Sequence, residues 1–141
     1  MAIGPHVIEE FAMDFRGWLH SCCGVDTSWE YFHLVNIAIT LAGIAGALIG
    51  WRATAFALTV PALVGVNGLF FHLGLTVVQQ KYSPGAITSG LLFLPASCWA
   101  FYGAYRDGVL RWRQAAIAVC LGTLLMLFPL FLLLWKSHRG G

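Results

Sequence analysis

The chain has 141 residues, of which 59% are hydrophobic and 10% charged, and its net charge is +2. A soluble domain is roughly half apolar and a quarter charged, so this balance excludes one and leaves room for a single integral membrane domain over residues 1–141. No basic stripe is interleaved with aromatics, so nucleic acid is not an expected partner; the lipid bilayer is.

The first element is an amphipathic helix over residues 5–21. Pro5 suits a first helical turn. At about 100° per residue, His6, Glu9, Glu10, Met13, Gly17 and His20 fall on one side, and Ile8, Phe11, Ala12, Phe15, Trp18 and Leu19 on the other. Gathering ionisable groups in this way points to a site facing a polar cavity. The segment lacks the basic n-region of a signal peptide, so the first true span is expected to act as its own insertion signal. Gly24 and Asp26-Thr27-Ser28 end the helix and cap the next one.

Four apolar runs follow, predicting transmembrane helices over 30–50, 53–78, 86–105 and 115–135. Ala42, Gly46 and Gly50 form a small-residue stripe where another helix, including one from a second copy of the chain, can approach closely. Pro61 gives the second span a reason to kink. A polar connection, residues 79–85, precedes the third span, a charged loop over 106–113 precedes the fourth, and Lys136, His138 and Arg139 make a basic tail. Trp18, Trp29, Trp51, Trp112 and Trp135 sit near the ends of predicted helices, as an aromatic belt would. Lysines and arginines number four on each side of this arrangement, so their balance gives no orientation. Cys22, Cys23, Cys98 and Cys120 are read as free thiols filling apolar space. The expected fold is therefore an all-α membrane protein of four transmembrane helices plus an N-terminal amphipathic helix, interfacial or partly inserted.

Few polar groups interrupt the spans. Asn36, Asn67 and His72 do, with Glu30 and His33 at the mouth of the first. A polar side chain in hydrocarbon is costly and faces the bundle interior, which makes each a site candidate beside its plainer role in an interhelical hydrogen bond. Gly65, Gly68, His72 and Thr76 share one stripe of the second span and suggest a cavity wall. His72 lies roughly 9 Å below the surface that carries Tyr82 to Gly85. For the HVIEE stretch at 6–10 to meet it, the amphipathic helix must start near that surface rather than cross the bilayer.

HVIEE at 6–10, Asn67 followed by His72, and Tyr82-Ser83-Pro84-Gly85 together resemble the HXXEE-domain family, small integral membrane proteins of bacteria with a His-x-x-Glu-Glu motif, an Asn/His motif and a Tyr-x-Pro-Gly motif. The resemblance runs from His6 to about Pro95. It implies a bacterial inner-membrane location and points toward an enzyme, without bringing a substrate or a reaction. One departure is visible: four residues separate Asn67 from His72, where the family has three.

Three readings of the chemistry stay open. In the first, the chain is a metal-dependent hydrolase or oxidase acting on a lipophilic substrate. His6 with Glu9 or Glu10, one helical turn apart, and His72 then ligate zinc or iron, and the second glutamate acts as base. Glu30 and His33 form a further Glu-x-x-His pair of the kind di-iron bundles present inward. In the second, no metal is needed: one of Glu9 and Glu10 is kept protonated as a general acid, and Asn67 and Tyr82 orient an isoprenoid-like substrate for isomerisation or cyclisation. The third is a non-enzymatic carrier or assembly protein.

Overall fold

The computed structural model describes residues 2–139, and for 136–139 only the backbone; among the described residues there are helices and turns and no strand. The side chains of Lys136, His138 and Arg139 lie outside the described residues. Three stretches are long and apolar enough to cross a membrane: Trp29–Gln79, Ala86–Arg106 and Trp112–Trp135, with mean hydropathies of 2.0, 1.2 and 2.7. The protein is a membrane protein.

The first stretch, 51 residues long, contains both of the first two expected spans. Laid straight it would reach about 75 Å, more than twice a hydrocarbon core of about 30 Å. It is not straight. Helix α3 (Trp29–Ile49) begins at Ser28, whose hydroxyl accepts the Tyr31 N–H at 3.2 Å. It ends at Gly50, which adopts a φ of +55° that a side chain would resist. A 3₁₀ turn over Gly50–Ala53 leads into α4 (Thr54–Val66), which packs back against α3. A Cβ on Gly46 would meet the Ala57 backbone of α4 at 3.4 Å. The small-residue stripe offered for a second copy is thus occupied at Gly46 within the chain.

Helix α4 is the central pillar, packed by α3, α7 (Leu94–Arg106) and α8 (Trp112–Arg139), and it runs helical through Pro61. Beyond α4 the chain continues as a π-helix, Asn67–Gly74, and then as α5 (Leu75–Gln79). After the turn, α6 (Ala86–Thr88) leads into a second π segment, Ser89–Phe93, and on to α7. The two π segments approach closely at Gly68, where a Cβ would meet Ser89 and Phe93 at 3.3 and 3.4 Å.

The expected helix over 5–21 is two helices, α1 (Ile3–Ala12) and α2 (Phe15–Cys23). Asp14 separates them in a left-handed conformation, φ +48°, and its carboxylate caps α2 by accepting the Gly17 N–H at 3.3 Å. Aspartate tolerates that backbone and supplies the acceptor that a new helix start needs. The break divides the polar stripe. His6 and Glu10 turn inward, whereas His20 is exposed and pairs with Asp26 at 2.9 Å. Helix α1 is amphipathic inside out: His6 and Glu10 are buried while Ile8 and Phe11 are 69% and 54% exposed.

Close packing of α8 on α4 depends on Gly122. A Cβ there would lie 2.7 Å from the Leu63 nitrogen and 2.8 Å from the Thr59 oxygen, both fixed backbone atoms. Gly122→Val is expected to cost on the order of 3 kcal/mol through overpacking. Gly103→Ala, whose new methyl would meet only the Trp51 ring at 3.9 Å, is expected to leave the melting temperature in detergent unchanged.

Candidate functional site

His6 and Glu10, four residues apart on α1, project from one face toward His72 of the first π segment. The Glu10 Oε1 atom lies 3.5 Å from His6 Nε2 and 3.6 Å from His72 Nε2. All three ligand atoms lie within 4.8 Å of one another and all three residues are buried. Phe93 stacks beside His6, with ring centroids 4.0 Å apart, and the two imidazoles meet edge to face at 4.7 Å.

Hydroxyl groups orient both rings. The Thr88 hydroxyl donates to the Gly85 carbonyl at 3.3 Å, so its oxygen accepts from His6 Nδ1–H at 2.8 Å. That tautomer leaves His6 Nε2 as a lone pair, and Nε2 is a buried atom with no hydrogen-bond partner. On His72, Nδ1 lies 3.3 Å from the Ser83 hydroxyl and Nε2 lies 3.3 Å from the Asn67 amide nitrogen. With that amide donating, His72 carries its proton on Nδ1 as well. Two imidazole lone pairs and a carboxylate oxygen then converge, all of them acceptors.

Gly85 makes room for this arrangement. Its φ is +93°, and a Cβ on it would sit 2.6 Å from His6 Cε1 and 2.8 Å from His72 Cε1. The Thr76 hydroxyl donates to the His72 carbonyl at 2.7 Å and accepts the Ser83 N–H at 3.1 Å, fastening the turn to the π segment.

Glu9 does not join the three. Its carboxylate accepts the backbone N–H groups of Gly85, Ile87 and Thr88 at 3.1, 3.2 and 2.8 Å, together with the Tyr82 hydroxyl. Burial raises the Glu9 pKa, but the hydrogen bonds from Thr88, Tyr82 and Ile87 outweigh it and hold the group at about 2. Burial also drives the Tyr82 hydroxyl up to about 12, helped by the Glu9 carboxylate, so it remains a donor. For Glu10 burial dominates and the pKa is raised, against the lowering effect of His6. Neighbours in sequence, the two glutamates are pushed in opposite directions.

The extra residue between Asn67 and His72 is absorbed by the π-helix. On an α-helix, residues five apart are about 140° out of register. A π-helix, bonded i to i+5, returns them to one face. Glu30 and His33 are exposed and away from the three converging residues, with His33 packed among Phe11, Trp29 and Phe32. Asn36 donates to the Phe32 carbonyl of its own helix at 3.0 Å and lines the cavity described next. Thr88 and Ser83 are the residues that sequence reasoning missed. The signal available was the run of hydroxyls at Ser83, Thr88 and Ser89 on the edge of an apolar span.

A cavity of about 130 Å³ opens beside the site. His6, Glu10, Asn67 and His72 line its polar end, and its walls are apolar residues of α3, α4 and α8. Tyr82 and Glu9 are not among the lining residues.

A family model described as "Protein of unknown function with HXXEE motif" matches residues 1–100. The chain is also similar to the uncharacterized protein YrkK of Bacillus subtilis (strain 168), 32% identical over 62 residues, which is 44% of this chain and 39% of that protein. The match therefore spans well under half the relative's length. No solved structure matches.

A carboxylate whose pKa is depressed contributes stability that is present above its ordinary value and lost as pH falls through the folded one. Melting curves are therefore expected to show stability from Glu9 lost between about pH 4.5 and about pH 2. Glu9→Gln is expected to lower the melting temperature at neutral pH and to flatten that part of the profile; an unchanged acid limb would show that the carboxylate does not hold the turn.

Proposed function

The chain belongs to the HXXEE family, and from that premise we propose that it is a membrane-embedded, metal-dependent enzyme, hydrolytic or oxidative, acting on a lipophilic substrate. His6, Glu10 and His72 are the ligands. The observation that carries this reading is the convergence of three buried side chains, His6, Glu10 and His72, on one point, with His6 Nε2 left without a hydrogen-bond partner. A cation held by His6, Glu10 and His72 would supply the partner that His6 Nε2 lacks and the counter-charge that burial denies an ionised Glu10. Bonds of about 2.0–2.1 Å put tetrahedral donor atoms about 3.4 Å apart, close to the 3.5 and 3.6 Å separations at Glu10. Two histidines and a carboxylate with open positions suit zinc hydrolysis or non-haem iron oxidation, where the ion activates water or oxygen. Thr88 and Ser83 fix the imidazole tautomers, as partners of ligating histidines do. Glu9 is a positioning residue, and Asn67, at the polar end of the cavity and bonded to His72, would stand beside the ion and substrate.

The topology that fits is four crossings, with Trp29–Gln79 divided at Gly50. Helices α1 and α2 are partly inserted, with the apolar side of α1 toward lipid, in a bacterial inner membrane. One chain forms the whole site, so the reading needs no second copy.

A second reading is favoured by the divergence of the two glutamates. Glu10, whose pKa burial raises, would serve as a general acid between two imidazole bases, as in a metal-free isomerase or cyclase of an isoprenoid-like lipid.

Metal titration of the detergent-purified protein separates the two. The expected result is a single ion per chain, with affinity reduced on the order of 100-fold in Glu10→Gln and His72→Ala and a melting temperature that falls on chelation. Full turnover of a lipophilic substrate after complete chelation would overturn the metal and leave the acid–base site.

A further inference from the structure

The cavity beside the three ligands has a composition that narrows what it can hold. One end is polar, at His6, Glu10, Asn67 and His72; Thr27, Tyr31 and Asn36 add uncharged polar groups, and the rest of the wall is apolar. Among the described residues, no lysine or arginine lines it. Arg16 stands beside the lining: its Nε donates to the carbonyl of the lining residue Thr27 at 2.7 Å and its guanidinium lies over the Trp29 ring. A buried phosphate calls for cationic forks or for the free N–H groups of a helix start. The helix start nearest the site is already filled by the Glu9 carboxylate.

The volume sets a size. A single water needs roughly 10–15 Å³ on the same measure, so 130 Å³ holds an occupant of about ten non-hydrogen atoms. Its walls set a direction. Val35 and Ile39 of α3 face Met126, Leu130 and Leu133 of α8, and these two helices pack on α4 without packing closely on each other. The Tyr31 hydroxyl donates to the Pro129 carbonyl at 3.0 Å and bridges the gap between them. Outside the gap the surface is apolar, with Leu34 and Ile37 exposed on α3 and Leu127 and Phe128 on α8.

Building on the site reading above, we infer that the substrate is an uncharged, single-chain amphiphile, an alcohol, ester or aldehyde. It enters sideways from the bilayer between α3 and α8 and lays its oxygen function at His6, Glu10 and His72. A lipid with a phosphate or diphosphate at the reacting end would find no cationic partner among the described lining residues.

Photolabelling tests this on the full chain in phosphatidylcholine nanodiscs, with a diazirine-bearing decanol as probe and decanol or decyl phosphate as competitor. Label is expected on the lining residues of α3 and α8, reduced about tenfold by decanol and not by decyl phosphate. Leu130→Trp and Ile39→Trp fill the cavity from opposite walls, and each is expected to abolish that label while zinc binding, measured in parallel, is unchanged. Equal competition by decyl phosphate would overturn the neutral head group. Label spread over Leu127 and Phe128 and indifferent to both tryptophans would overturn the cavity as the binding place. Label as expected in a protein that takes up neither zinc nor iron would uphold this substrate class and sink the metal reading instead.

Discussion

One carboxylate holds the two halves of the site together. Glu9 of α1 takes three backbone N–H groups and a phenol from the turn and helix start at 82–88. The first N–H groups of any helix lack intrahelical partners, and the dipole there favours negative charge. Hydrogen bonds to a charged group are stronger than neutral ones, and these four, two of them at exposed positions, help dock a ten-residue helix that buries few apolar groups of its own. The consequence passes along the chain. With Thr88 fixed by its N–H bond to Glu9, its hydroxyl is fixed against His6, and His6 presents its free nitrogen to Glu10 and His72.

Much of this site was legible because hydrocarbon is unforgiving. A histidine in an apolar run and an ionisable pair one turn apart on a helix are each costly without a purpose, and His6, Glu10 and His72 meet as their spacing suggests. Adjacent glutamates are about 100° apart on a helix and cannot both aim at one point. That alone foretells that one of Glu9 and Glu10 looks elsewhere, but not which. The position of Asn67 was illegible, because α-helical geometry turns it away and only the π-helix brings it back. Hydroxyls such as Ser83 and Thr88 carry little signal, since in apolar helices they satisfy themselves locally as often as they bind a partner. The break at Asp14 was hidden too: a single left-handed residue leaves no trace in hydrophobic periodicity.

The described residues are arranged for lipid rather than water. Few large side chains are buried, and leucines, phenylalanines and tryptophans cover the outside. Without a hydrophobic driving force between helices, association rests on close backbone approach, which Gly46 and Gly122 provide on two sides of α4. The pillar can then be rigid where α3 and α8 touch it, while the space between those two helices stays available as a cavity.

Gly85 has a consequence for how mutants of this protein would be read. Its backbone conformation and the two imidazole carbons within 3 Å of its missing methyl forbid every side chain. A genetic screen for loss of function would be expected to mark residue 85 as strongly as His6, Glu10 or His72, although it brings no chemical group to them. What it contributes is emptiness of a defined size, and a substitution there is an edit to the spacing of the two histidines.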